Sequence, residues 1–115
     1  MEFTVKGESF FPLGGQAHNS SAYNADEIAS AVAGVVALGG NFLEAPVYWE
    51  QLEPEEGRFD FSAVDALLGA CREASLKLVV LWFGTWKNGE MRYVPEWVKQ
   101  DTDRFPRVVG YDGRE

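Results

Sequence analysis

Cysteine, histidine and positive charge are all scarce in this 115-residue chain. Cys71 is the only cysteine, so an internal disulfide framework and a thiolate zinc cluster are both excluded. Because it falls on the apolar stripe of an expected helix, Cys71 reads as a small core residue. His18 is the only histidine, which rules out a multi-histidine metal centre, and nothing calls for another cofactor. Ten Lys and Arg face eighteen Asp and Glu, for a net charge of −8. Such a surface repels a nucleic-acid backbone and an anionic membrane, leaving a neutral ligand as the compatible class. No apolar run approaches the ~18 residues of a membrane span. The first residues have neither the basic start nor the apolar middle of a signal peptide, which leaves the compartment open. Gly-x-Gly-x-x-Gly and Gly-x-x-x-x-Gly-Lys are also missing, which removes the main support for a nucleotide fold or a flavodoxin-like domain.

Apolar and aromatic residues are plentiful. At 46% hydrophobic and 14% aromatic the chain has the composition of one folding domain or part of one. Phe3-Thr4-Val5 and Ser9-Phe10-Phe11 flank Lys6-Gly7-Glu8 and predict a small hairpin. The second run continues through Leu13 to a polar end at Gly14–Ser21. Asn24 with Glu27 has capping-box spacing ahead of a stripe at Ile28, Val32, Val35 and Val36, ended by Gly39 and Gly40. A strand is expected over Asn41–Ala45, with Pro46 and Pro54 ruling out regular sheet beyond about residue 46. Ser62 with Asp65 repeats the capping spacing before Val64, Leu67, Leu68 and Cys71. Leu78 to Phe83 is then unbroken and apolar, the pattern of a strand buried on both faces. A short helix with proline in its first turn is expected at 95–100, and residues 101–115 show no period.

Strands alternating with helices imply right-handed crossovers and a parallel sheet. In such folds ligands bind beyond the carboxyl ends of the strands. The segment that follows the apolar strand, Gly84-Thr85-Trp86-Lys87-Asn88-Gly89-Glu90, offers an aromatic face, an amide, a cation and a carboxylate there. That inventory suits a polar ring, although a plain connecting loop has similar composition.

The stretch Trp49-Glu50-Gln51-Leu52-Glu53-Pro54-Glu55-Glu56-Gly57-Arg58-Phe59-Asp60-Phe61-Ser62 resembles the segment after the second barrel strand in glycoside hydrolases of the β-galactosidase families 35 and 42. Trp82 to Glu90 is similar to the family 35 loop after strand three, and Gly15-Gln16-Ala17-His18 to its strand-one Gly-Glu-x-His. The form with Trp-Phe-Gly-Thr-Trp-Lys-Asn-Gly looks closest to a bacterial branch. The resemblance implies the first three strand-helix units of a (β/α)8 TIM barrel with a small N-terminal hairpin, residues 1–115 being the N-terminal part of one catalytic domain. It assigns galactose hydroxyl contacts to Asn88 and Glu90. Trp86, Trp49, His18 and Glu44 are further candidate substrate contacts, each with a plain structural alternative. Trp82, Pro46 and Gln16 stand where the family has arginine, tyrosine and glutamate, which leaves the sugar open.

Retaining hydrolysis needs two carboxyl groups about 5 to 5.5 Å apart, which these families place after strands four and seven. A complete barrel takes about 250 residues, so no catalytic residue is expected in this chain. Glu50 and Glu53 are not promoted to that role, and Glu53 is expected to fix its loop. The expected partners are a β-galactoside-like or other oligosaccharide, together with the rest of the barrel or a second copy. The alternative is a noncatalytic carbohydrate-binding or self-associating α/β module.

Overall fold

The computed structural model describes residues 2–114. Strands β1 (Thr4–Val5) and β2 (Glu8–Ser9) pair antiparallel. Lys6 and Gly7 between them both take positive φ, 54° and 82°, forming the two-residue turn whose twist matches the strands it joins. The expected hairpin is present, with Glu8 in the strand rather than the turn.

The main sheet has the order β3–β4–β5, built from Gly14–Gln16, Phe42–Tyr48 and Lys77–Phe83. It is parallel, with Gly14, Gly15 and Gln16 opposite Phe42, Leu43 and Glu44. Helices α1 (Ala25–Ala37) and α3 (Ser62–Glu73) form the two crossovers and pack on each other. Together with the antiparallel hairpin, this is the partial TIM-barrel architecture that the strand-helix alternation implied.

Asn24 caps α1 through its side chain, which accepts the Glu27 N–H at 3.0 Å, as the spacing required. Ile28 and Val35 are buried from the α1 stripe, whereas Val36 is half exposed. Asn41 aligns the strand starts. Its Oδ1 accepts from the Leu13 N–H (2.9 Å), its Nδ2 donates to the Phe11 carbonyl (2.8 Å), and its own carbonyl accepts from Lys77 (2.9 Å). Gly14 is the residue that lets β3 reach β4, since a Cβ there would lie 1.9 Å from the Phe42 carbonyl oxygen.

Two expectations are corrected. Strand β4 runs through Pro46 to Tyr48 instead of stopping near residue 46. The Ala17 N–H donates to the Glu44 carbonyl, so Glu44 bonds on the β3 side. By the two-residue alternation Pro46 faces that side too, where β3 has already ended at Gln16. Pro46 has no N–H with which to extend that ladder, and the β3 pairing stops there.

The second correction concerns β5, which is not buried on both faces. Val79 is 44% and Val80 51% exposed, and successive strand residues point to opposite faces. β5 is an edge of its sheet, and among the described residues each face is only partly covered at this point.

The chain forms two compact units, residues 2–47 with 62–81 and residues 48–61 with 82–114. The first buries Ile28, Val35, Leu43, Ala45, Leu67 and Cys71. In the second, Tyr48, Phe83 and Tyr93 form an aromatic triangle with centroids 4.8 to 5.8 Å apart, joined in the core by Val94 and Val98. The short helices α2 (Trp49–Leu52) and α4 (Glu96–Gln100) belong to this second unit, α4 starting after Pro95 as expected.

Candidate functional site

Strands β4 and β5 each hand over to the second unit at their carboxyl ends, β4 into α2 and β5 into the loop from Gly84. Trp49, Trp82, Gly84, Thr85 and Trp86 surround a hollow of about 340 Å³ in that unit. This is at the lower end of the range for small-molecule sites, roughly 300–1,000 Å³. Trp49 and Trp82 lie with ring centroids 6.4 Å apart at 44°. Trp82 is 54% exposed and Trp86 68%, so both keep ring surface available to a ligand.

Trp49 is held from behind. Its indole N–H donates to Glu53 Oε2 at 2.8 Å, and the Trp97 ring meets it edge-on at 5.8 Å and 89°. The other Glu53 oxygen accepts the Gly57 N–H (2.8 Å), and the Glu53 carbonyl accepts the Trp97 indole N–H (3.0 Å). Glu53 therefore fixes its loop, as the sequence suggested. Trp97 packs on Trp49 and on Phe105 (5.8 Å), consistent with its place in a helix. Glu50 is likewise engaged, its carboxylate 3.9 Å from Lys99 Nζ and its N–H donating to the Tyr93 carbonyl. Arg104 grips Glu56 through two nitrogens and holds that carboxyl below the usual carboxylate range.

Trp82, one of four tryptophans at or after the strand ends but not among the assigned substrate contacts, forms a wall. Strand alternation was the available signal, because Phe83 is buried in the aromatic triangle and Trp82 must then face the other way. Its indole lies against the backbone of Gly84, where a Cβ would come within 2.7 Å of Trp82 Nε1. Glycine at 84 is what leaves room for the ring just beyond the strand end.

Asn88 and Glu90 are exposed and stand just past the hollow's last wall residue, on a one-turn hairpin. The Lys87 N–H donates to Glu90 (2.9 Å) and the Glu90 N–H to Lys87 (3.1 Å). Asn88 (φ 53°) and Gly89 (φ 84°) form the turn between them. Lys87 is seated with Nζ 4.5 Å over the Phe83 ring.

His18 and Glu44 belong to the first unit. His18 is exposed and follows β3, where with Gln16, Ser21, Asp26 and Glu27 it lines a second hollow of about 540 Å³ against α1. Glu27 Oε2 is buried there without a hydrogen-bond partner. Glu44 is half-buried on β4 opposite Gln16. The structure thus brings Trp49 and Trp86 to one hollow with Trp82, and His18 to another. Among the described residues no three His, Cys, Asp or Glu side chains gather as metal ligands would, and no helix is long and apolar enough to cross a membrane.

No protein-family model matches the chain, and no curated protein does. Solved structures do. Exo-beta-1,4-mannosidase Op5Man5 from Opitutaceae bacterium strain TAV5 is 28% identical over 91% of this chain, with a TM-score of 0.68. A GH5_18 variant from Streptomyces cattleya, in complex with Manb1-4GlcNAc, is 18% identical over 84% of the chain with a TM-score of 0.55. GH5_18 from Bifidobacterium longum subsp. longum ATCC 55813 is 18% identical over 64%, with a TM-score of 0.52. The chain spans 21%, 24% and 18% of these three proteins. The similarity is to a fragment of a glycoside hydrolase barrel, and these relatives are of family 5 type rather than β-galactosidases of families 35 or 42.

Proposed function

We propose that the chain supplies substrate contacts to a β-glycosidase barrel, with a β-1,4-linked mannoside as the substrate class. The carrying observation is the three-tryptophan hollow at the carboxyl ends of β4 and β5. Aromatic faces pack against the apolar C–H side of a pyranose, and Thr85 adds a hydroxyl at the same wall. Mannoside is favoured by the 28% identity to an exo-β-1,4-mannosidase over most of this chain. A β-galactoside is the second reading, supported by the resemblance of residues 49–62 and 82–90 to family 35 and 42 segments.

In this proposal Trp86 and Trp82 stack on the sugar and the clamped Trp49 closes the wall. Asn88 and Glu90 reach ring hydroxyls from the adjacent hairpin; in the first unit, His18 after β3 and Glu44 within β4 are candidate polar contacts in their own right. In this reading the proton donor and the nucleophile come from the rest of the barrel; Glu50, Glu53 and Glu56 are engaged in structural bonds.

Tryptophan fluorescence titrated with β-1,4-mannobiose and with lactose tests the reading. Mannobiose is expected to shift the emission, and Trp86→Ala to weaken the effect about tenfold, which is roughly 1.4 kcal/mol. No response to either disaccharide would end the sugar assignment, and a response to lactose alone would favour the galactoside. The chain is also expected not to turn over nitrophenyl β-mannoside or β-galactoside. Turnover abolished by Glu50→Gln or Glu90→Gln would place catalysis within it.

A further inference from the structure

The chain contains four asparagines, and the structure sets one apart chemically. The Asn24 side chain is committed to capping α1 and is followed by Ala25. The Asn41 side chain bonds both Leu13 and Phe11 and is followed by Phe42. Asn19 is followed by Ser20. Asn88 alone precedes a glycine, and it is exposed at the tip of the Lys87–Glu90 hairpin.

Both hydrogen bonds closing that hairpin belong to Lys87 and Glu90, which leaves the Asn88 and Gly89 amides outside the ladder. Apart from its two chain neighbours, nothing lies within 4 Å of where a Gly89 Cβ would be, so the tip is open to solvent on that side. With φ of 84° and no side chain, Gly89 can also rotate freely as the tip opens. Two backbone bonds at an exposed loop tip hold the turn closed, and such tips open at low free-energy cost.

We propose that Asn88-Gly89 is a self-modification site, at which the chain converts its own asparagine to isoaspartate and aspartate. The Gly89 amide nitrogen gives up its proton to water or hydroxide and attacks Asn88 Cγ. A C–N bond forms, the Asn88 side-chain nitrogen leaves as ammonia after taking a proton from solvent, and a five-membered succinimide remains. Water then adds to either ring carbonyl and opens the ring. No electrons are transferred, and the only co-reactant is water.

The product carries a new carboxylate two positions from Glu90, and in the isoaspartyl form it adds a backbone methylene to a two-residue turn. The Lys87–Glu90 pairing, set for a two-residue loop, is then broken. Resting on the sugar-binding reading, the modification replaces a neutral hydroxyl contact with a displaced anion and lowers saccharide affinity.

The test is to hold the folded chain in mildly alkaline and in mildly acidic buffer, then map its peptides by mass spectrometry with isoaspartate methylation as a second readout. At alkaline pH the peptide carrying Asn88 is expected to gain one mass unit and accept methyl groups, faster than in acid, with the Asn24 and Asn41 peptides unchanged. The proposal is overturned if Asn88 stays intact in the folded chain while a urea-unfolded sample converts, if it stays intact in both, or if Asn24 and Asn41 convert as fast. For the binding consequence, the chain and Asn88→Gly, which cannot form the ring and lacks the Asn88 contact from the start, are each compared aged against fresh. Mannobiose affinity is expected to fall with ageing only in the unsubstituted chain, and an equal fall in both overturns that consequence. Absence of binding in fresh chain would overturn the sugar reading while leaving the mass change to decide the modification.

Discussion

At the scale of single residues, Glu53 does the most to shape the candidate site. Its two carboxylate oxygens take the Trp49 indole and the Gly57 amide, and its carbonyl takes the Trp97 indole. Hydrogen bonds to a charged group contribute about 1.5–3 kcal/mol each at most, so Glu53→Ala is expected to cost the second unit roughly 2–3 kcal/mol. Urea unfolding followed by tryptophan emission checks this, and an unchanged midpoint would show that Trp49 needs no carboxylate behind it. Cys71 offers a pH test in the first unit. Burial pushes its thiol above the ordinary value, so the folded chain keeps its proton at a pH where the unfolded chain has released it. Stability from this group is complete below the ordinary thiol range and declines as pH rises through the folded value. The alkaline decline in melting temperature is expected to flatten in Cys71→Ala, and native Cys71 to react slowly with thiol reagents. Equal reaction rates in native and unfolded chain would contradict its burial.

At the scale of elements, helices follow local signals and strand β5 does not. Asn24 and the apolar stripe of α1 specify that helix within a dozen residues, and the structure has it where they place it. The all-apolar run of β5 correctly specifies a strand, but Val79 and Val80 are left open on opposite faces and one edge is unpaired. Only Lys77 carries charge along it, so little discourages pairing with another strand. In the partner reading carried from the sequence, β5 is covered by further barrel strands or, for the chain by itself, by a second copy. Sedimentation at rising concentration is therefore expected to show association, and Val79→Lys or Val80→Lys to weaken it. A monomer at every concentration would remove the self-association reading. The same period-two alternation turns Trp82 away from the Phe83 side of the strand.

At the scale of the whole chain, the charge of −8 and the neutrality of the proposed ligand make a joint prediction. Saccharide binding is expected to change by less than about twofold between low and physiological salt, since screening acts on charge pairs and a neutral sugar brings none. A steep salt dependence measured in the same titration would point to an ionic ligand instead. Periodicity and the Asn24 cap were enough to give a parallel α/β fragment and its helices, because those signals act within a few residues. Three things depended on contacts far apart in sequence. Pro46 sits inside β4 at the point where pairing with β3 stops. Asn41 is a strand-aligning residue because Phe11, Leu13 and Lys77 converge on it. The hollow has Trp82 as a wall because Gly84 leaves room for its indole just past the strand end, where it lies near Trp49, more than thirty residues earlier. Local chemistry sets what each segment becomes, whereas which tryptophan faces meet depends on how the ends of separate strands pack.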